Sequence, residues 1–171
     1  MNKTILAAIL ASAVAMPALA QTYRPVNNEV YALTDPGEWK EANFKLPPYP
    51  AQADWVGFFV PLKSDYTYFV DAKTLTLGED GVIRLILRVV SASGAENLSY
   101  EGYQCANRSL RSYAFGDSFN HKWIESTRVL WKRMDRDDKA RMRLAEDFCP
   151  EWNTPKTSAE ALLRLKKAPW N

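Results

Sequence analysis

The sequence predicts an α+β domain in which an antiparallel sheet of four or five strands carries C-terminal helices on one face. Three features lead to this reading. From Trp55 to Phe115 the chain runs in short aromatic and β-branched stretches separated by turn residues. Within them, Ile83, Leu85, Leu87 and Val89 alternate with Arg84 and Arg88, the period of two of a strand with one face in a core. After Gly116 the chain turns charged and its apolar residues take helical spacing. A β-sandwich is the alternative, with Arg84 and Arg88 facing solvent.

The elements follow in order. Asp35-Pro36-Gly37-Glu38 has the spacing of a helix start, with Asp35 as cap, Pro36 in the first turn and Glu38 three residues on, so a short helix to about Asn43 is expected, anchored by Trp39. The three prolines of Lys45-Leu46-Pro47-Pro48-Tyr49-Pro50 stop any regular element and favour an extended path across the surface. Strands are expected at Trp55–Val60, Tyr66–Asp71 and Thr74–Leu77, followed by a turn at Gly78-Glu79-Asp80-Gly81 and the arginine-bearing strand. Ser91–Ala95 breaks that strand, and Asn97–Cys105 resumes as the next. One of its faces carries Leu98, Tyr100 and Gly102; the other carries Ser99, Glu101, Tyr103 and Cys105. Gly102 in mid-strand marks a bulge or a close approach of another element. Leu110–Phe115 follows a tight turn, with Arg111, Tyr113 and Phe115 assigned to one face.

Asp117–Arg136, which contains Trp123 and Trp131, reads either as a loop with a strand or as a short helix around Ser126–Met134. Asp137 or Asp138 caps a helix through Phe148 whose inner side holds Arg141, Leu144, Ala145 and Phe148, ended by Pro150. A capping-box spacing, Thr157-Ser158-Ala159-Glu160, starts a last helix to Lys167, and Lys166 and Lys167 suit its C-terminal dipole.

The first twenty residues combine Lys3, an apolar run from Ile5 and small residues at Ala18-Leu19-Ala20, the pattern of a cleaved secretory signal peptide. The apolar run is shorter than the roughly 20 residues that span a bilayer. Residues 21–171 then form one globular domain, and a periplasmic location is expected, with outer-membrane association or secretion as variants. Removing Lys3 leaves 21 basic and 20 acidic side chains, unevenly spread: Gln21–Asn107 carries 7 basic and 11 acidic residues, Arg108–Asn171 14 and 9. This is not the continuous basic footprint of a nucleic-acid binder.

Cys105 and Cys149 are the two cysteines. In an oxidising compartment two thiols point to one disulfide, whereas a metal site would need further ligands and His121 has no partner nearby in sequence. No serine sits in a G-x-S-x-G elbow, and no phosphate-loop or dinucleotide fingerprint is present. Glu96 and Glu101 fall on opposite strand faces, and Asp71 suits a turn cap, so paired acids of the glycosidase kind are not expected. The reading therefore assigns no catalytic residue, metal or cofactor. Tyr100, Tyr103, Arg108, Arg111 and Tyr113 are the candidate ligand groove, since aromatic rings and guanidinium groups recur where ligands bind.

Ser93-Gly94-Ala95-Glu96-Asn97-Leu98-Ser99-Tyr100-Glu101-Gly102-Tyr103-Gln104-Cys105 resembles the pattern of the cryptic neisserial protein-like family of small exported proteobacterial proteins. Glu38-Trp39-Lys40-Glu41, Leu46-Pro47, Phe69-Val70-Asp71, Arg111–Gly116 and Asp147-Phe148-Cys149-Pro150 resemble it in the same order, over roughly Trp39 to Pro150. The resemblance implies export and pairing of Cys105 with Cys149, and brings no catalytic residue with it. The expected function is a non-catalytic binding or interaction protein of the bacterial envelope. Its expected partner is an envelope protein or a cell-wall fragment, not nucleic acid. A chain without a membrane span, monomeric or weakly self-associating, is expected; a cell-wall carbohydrate or peptide hydrolase is the alternative.

Overall fold

Val82–Val90 (β4) runs through the middle of an eight-stranded antiparallel sheet, seen in a computed structural model that describes residues 39–61, 65–127 and 130–168. The expected signal peptide at 1–20, the expected arm at 21–30 and the expected cap at Asp35 lie outside the described residues. The other strands are Trp55–Phe58 (β1), Thr67–Asp71 (β2), Thr76–Leu77 (β3), Glu96–Gln104 (β5), Ser109–Asp117 (β6), Lys122–Glu125 (β7) and Lys132–Arg133 (β8). Their order is β1-β2-β4-β5-β6-β7, with β3 on the free end of β4 and β8 on the free end of β6. The α+β class is as read from the sequence. The extra strands are short pieces that finish the two edges, and β7 and β8 resolve the undecided 117–136 segment as loop and strand.

Two turns set the central hairpins. Gly78–Gly81 closes through the Gly81 amide on the Gly78 carbonyl (3.0 Å), with Gly81 at φ +75°, a left-handed conformation that costs glycine little. Ser91–Ala95 closes in the same manner, its Gly94 at φ +81°. β4 and β5 then pair in continuous register from Val82↔Gln104 to Val90↔Glu96.

The face with Ile83, Leu85, Leu87, Val70 and Tyr103 is covered by two helices, Lys139–Phe148 (α1) and Ser158–Lys167 (α2). Leu144, Ala145 and Phe148 of α1 and Ala161 and Leu165 of α2 are buried against it. The caps are those of the sequence pattern: Asp138 accepts from the Arg141 amide (3.1 Å) and Thr157 from the Glu160 amide (3.1 Å). Between the helices a 3-10 turn, Pro150–Trp152, carries Glu151 and Trp152 at positive φ.

The opposite face is the one the sequence reading marked as polar. It is covered by residues 39–53, an extended strap without helix or strand. Ile86, Leu98, Tyr100, Tyr113 and Ala114 form a second core there, with Leu46, Tyr49, Trp55 and Trp123 packed on it. The expected helix to Asn43 is absent from residues 39–43 because the sheet takes its polar groups. The Ala42 amide donates to Asp80 (2.9 Å), and Trp39 Nε1 donates to the Asp80 carbonyl (3.0 Å).

Candidate functional site

The strap is fastened by one carboxylate. Glu41 accepts from Arg84 Nη2 (3.0 Å) and the Tyr113 hydroxyl on one oxygen, and from Arg111 Nη1 and Trp131 Nε1 (3.1 Å) on the other. Arg84, on β4, also donates to Asp80 at 3.2 and 2.6 Å. The Arg84 and Asp80 side chains are 4% and 1% exposed, so these charges are nearly dry and depend on one another. Burial pushes the Asp80 carboxyl up, but hydrogen bonds from Arg84 and from the Ala42 and Val82 amides outweigh it and hold it below the usual carboxylate range. Burial, with the hydrogen bond to Glu41, pushes the Tyr113 hydroxyl far up, so it stays a protonated donor.

A backbone irregularity places Tyr113. The β5–β6 register shifts between Tyr100↔Ala114 and Glu101↔Ser112, leaving Tyr113 as the extra residue. The hydroxyl end of its ring lies against Gly102, where an added Cβ would come within 2.9 Å of Tyr113 Cε2. The sequence reading anticipated a bulge or close approach at Gly102, and the structure shows both. The same bulge corrects one assignment. Phe115 pairs with Ser99, on the helix-side face, and does not share a face with Arg111 and Tyr113.

Aromatic rings fill the space around the arginines. Arg84 lies over Phe44 (5.0 Å to the centroid) and Tyr113 (5.9 Å), Arg88 over Trp55 (5.1 Å) and Phe69 (5.4 Å), and Arg111 over Tyr113 (5.2 Å). The Nε atoms of Arg84, Arg88 and Arg111 are buried with no hydrogen-bond partner among the described residues, in guanidinium groups that lie beside these rings.

Two clefts flank the strap. A cleft of about 820 Å³ lies between the strap and the Asp71–Gly78 edge, lined by Phe44, Pro47, Tyr49, Tyr100 and Arg84, with Lys45 and Lys73 among its polar groups. A second, of about 620 Å³, is lined by Tyr49, Trp55, Arg88, Glu96, Ser118 and His121. Both exceed the lower bound usual for small-ligand sites.

Of the predicted groove, the structure brings together Tyr100, Arg111 and Tyr113 on the strap face. Tyr103 lies fully buried on the other face, its hydroxyl donating to Glu101 (2.9 Å). Arg108 stands apart at the β5–β6 turn, stacked on Trp152 at 4.5 Å. The weighed acids also separate. Glu101 is fully buried under α1, accepting from Ser99 Oγ (2.6 Å) and from Arg141 Nη2 (2.6 Å). Asp71 caps the Asp54 and Lys73 amides (2.8 and 3.1 Å), Asp65 is exposed, and Glu96 pairs with Arg88. His121 is exposed and packs edge-on against Tyr49 (5.7 Å). Cys105 and Cys149 are joined as a disulfide, Cα to Cα 5.5 Å. Among the described residues no cluster of three or more His, Cys, Asp or Glu is arranged to hold a metal ion, and no helix is long and apolar enough to cross a membrane.

Comparison with known proteins decides the family. The model of the CNP1-like family matches residues 34–166. This chain belongs to the CNP1-like family. It is 31% identical over 152 residues to "Cryptic neisserial protein 1" of Neisseria gonorrhoeae (strain ATCC 700825 / FA 1090), covering 76% of this chain and 72% of that one. No solved structure matches it. The matched region of this CNP1-like chain takes in the whole strap, the sheet and nearly all of α2.

Sequence reasoning passed over Trp39, Glu41, Asp80, Trp123 and Trp131 as site residues. Trp123 Nε1 donates to the Pro47 carbonyl (2.9 Å), so both tryptophans of the undecided segment pin the strap from the β7–β8 edge of the sheet. The available signal was Arg84 itself. An arginine central in a strand whose other face is a core needs an acid from elsewhere once something covers it.

Proposed function

We propose that this protein is a non-catalytic binding protein of the bacterial envelope, exported to the periplasm, whose ligand site is the 820 Å³ cleft under the strap. The single observation that carries this reading is how the charged groups around the cleft are used. Arg84 in the wall is committed to Glu41 and Asp80, and Asp71, the carboxylate of the lining, caps the Asp54 and Lys73 amides, so these groups hold the walls rather than present an acid or base to a substrate. The walls combine proline and aromatic faces with the amines of Lys45 and Lys73, a setting for a ring- or chain-bearing ligand with an anionic group. A cell-wall fragment with its carboxylates has that chemistry.

The test is titration with soluble wall fragments, followed by intrinsic tryptophan fluorescence. Saturable binding that weakens in Lys45→Ala, with no change in melting temperature, is the expected result. Lys45 is exposed and can be replaced without loss of the fold, whereas the Phe44 ring packs on Tyr113 and under Arg84. Arg111 and Tyr113 are unsuitable probes, since their loss releases Glu41. No saturable binding to wall fragments would refute the cleft's role.

The hydrolase reading keeps one observation: Ser118, His121 and Glu96 line the same 620 Å³ cleft. A relay is missing, because Glu96 is taken by Arg88 and no hydrogen bond joins His121 to Ser118 or Glu96. Release of soluble product from purified wall material by the wild type, abolished in His121→Ala, would establish it.

A further inference from the structure

The second inference concerns the disulfide end of the molecule and does not depend on the strap cleft. Each half-cystine begins a tight turn. The Arg108 amide closes on the Cys105 carbonyl (3.0 Å), and the Trp152 amide closes on the Cys149 carbonyl (2.7 Å). Arg108 and Trp152, each three residues beyond its cysteine, meet with the guanidinium 4.5 Å from the ring centroid. Both hold positive φ, 51° and 64°. A bulky non-glycine residue in that region is strained, and such strain concentrates at functional sites.

Beside this pair lies a cleft of about 410 Å³ lined by Arg108, Arg133, Met134, Arg136, Met142 and Trp152. Three guanidinium groups therefore share one cavity whose lining contains no carboxylate. Neighbouring arginines are neutralised: Arg141 pairs with Glu101 and Asp138, and Arg143 with Asp147. Arg108, Arg133 and Arg136 are exposed and pair with no acid among the described residues. Asp135, next to Arg136, turns instead onto the Asp137 amide (2.9 Å). An adjoining cleft of about 360 Å³ shares Arg136 and Met142 and adds Lys139, with Glu146 as its acid. Uncompensated like charges repel, and the arrangement is relieved by an anion. Planar guanidinium forks match the oxygens of a phosphate, and three of them suit more charge than one carboxylate carries. The remaining wall, an indole and two flexible thioethers, suits an apolar body.

We propose that this cleft binds a phosphate ester whose phosphate sits among Arg108, Arg133 and Arg136 and whose apolar part lies on Trp152, Met134 and Met142. Two sources carry that chemistry, a soluble organic phosphate and the headgroup of an anionic lipid.

The experiment uses the full, disulfide-bonded protein with two probes: phenyl phosphate by titration calorimetry, and vesicles of phosphatidylglycerol in phosphatidylcholine by co-sedimentation. The R133A/R136A variant removes two exposed cations, so its melting temperature should stay that of the wild type. The K166A/K167A variant removes the same charge from the exposed end of α2. Saturable binding, weakened about tenfold or more in R133A/R136A and unchanged in K166A/K167A, is expected. Under that pattern, binding of phenyl phosphate without vesicles assigns a soluble phosphate, and sedimentation with the vesicles assigns a lipid headgroup. Equal weakening in the two double variants, or no saturable binding of either probe, overturns the proposal.

Discussion

Arg84 on the central strand and Glu41 on the strap face each other at 3.0 Å across a join that is nearly dry, the arginine side chain 4% exposed and the glutamate 12%. This ion pair is what lets a polar sheet face be covered. Removing Glu41 leaves Arg84 with Asp80 alone and takes the acceptor from Arg111, Tyr113 and Trp131, and breaking a buried pair of this kind typically costs about 3–5 kcal/mol. Glu41→Ala is therefore expected to lower stability by about that amount and to open residues 43–53 to proteolysis. Limited digestion with mass mapping of the first cuts checks it; first cuts in the α1–α2 region instead would contradict the assignment.

Gly102 should not tolerate a side chain. A methyl group there would crowd the Tyr113 ring, with Cε2 at 2.9 Å and Cζ at 3.0 Å, and push the hydroxyl away from Glu41. Gly102→Ala is expected to cost about 1–3 kcal/mol, as overpacking does. In a Tyr113→Ala background the same change should cost far less, because the ring it collides with is gone. Denaturant melts of the two single variants and the double variant measure that coupling.

The strap should loosen in acid. Asp80 has a carboxyl pKa held below its unfolded value, so its contribution to stability is fully present above the unfolded value, near 4. That contribution falls as the pH drops through the lower folded value. Asp147, whose carboxyl burial pushes up, works in the opposite direction, so the useful quantity is a difference between variants. The stability gap between wild type and Asp80→Asn should be widest at neutral pH and shrink below about pH 4. A gap that does not change with pH would show that Asp80 contributes no ionised interaction.

The Cys105–Cys149 bridge closes a loop with a sequence separation of 44. Loop entropy values such a closure at roughly 4 kcal/mol. Replacing both cysteines by serine is expected to lower the melting temperature by about 10 °C or more for a chain of this size. Intact mass after alkylation checks the bridge itself: two modified thiols should appear only after reduction.

The helix side of the sheet was legible in the sequence because its signals are local. The alternation of Ile83, Leu85, Leu87 and Val89, a cap at Asp137 or Asp138 and the Thr157-to-Glu160 spacing each follow from the period of one element. Arg141 was placed on the inner side of α1 by the same spacing, though its partner Glu101, forty residues earlier, was not visible. The strap side misled for the converse reason. Asp35-Pro36-Gly37-Glu38 and Trp39 look like a helix start, yet from Trp39 onward the sheet's hydrogen bonds take the polar groups a helix would need.

By itself the sequence determined the strand and helix periods, the turns at Gly81 and Gly94, the availability of two cysteines for one bridge and the class of fold. Only the tertiary structure decided which polar residues are partners. It assigned Glu41 to Arg84, Arg111, Tyr113 and Trp131, and set Arg108 against Trp152. Periodicity states which face a side chain takes, a property of a few neighbouring residues. Ion pairing and cleft formation depend on what covers that face, and here the cover comes from residues 39–53, well before β4, β5 and β6 in sequence and without a periodicity of their own.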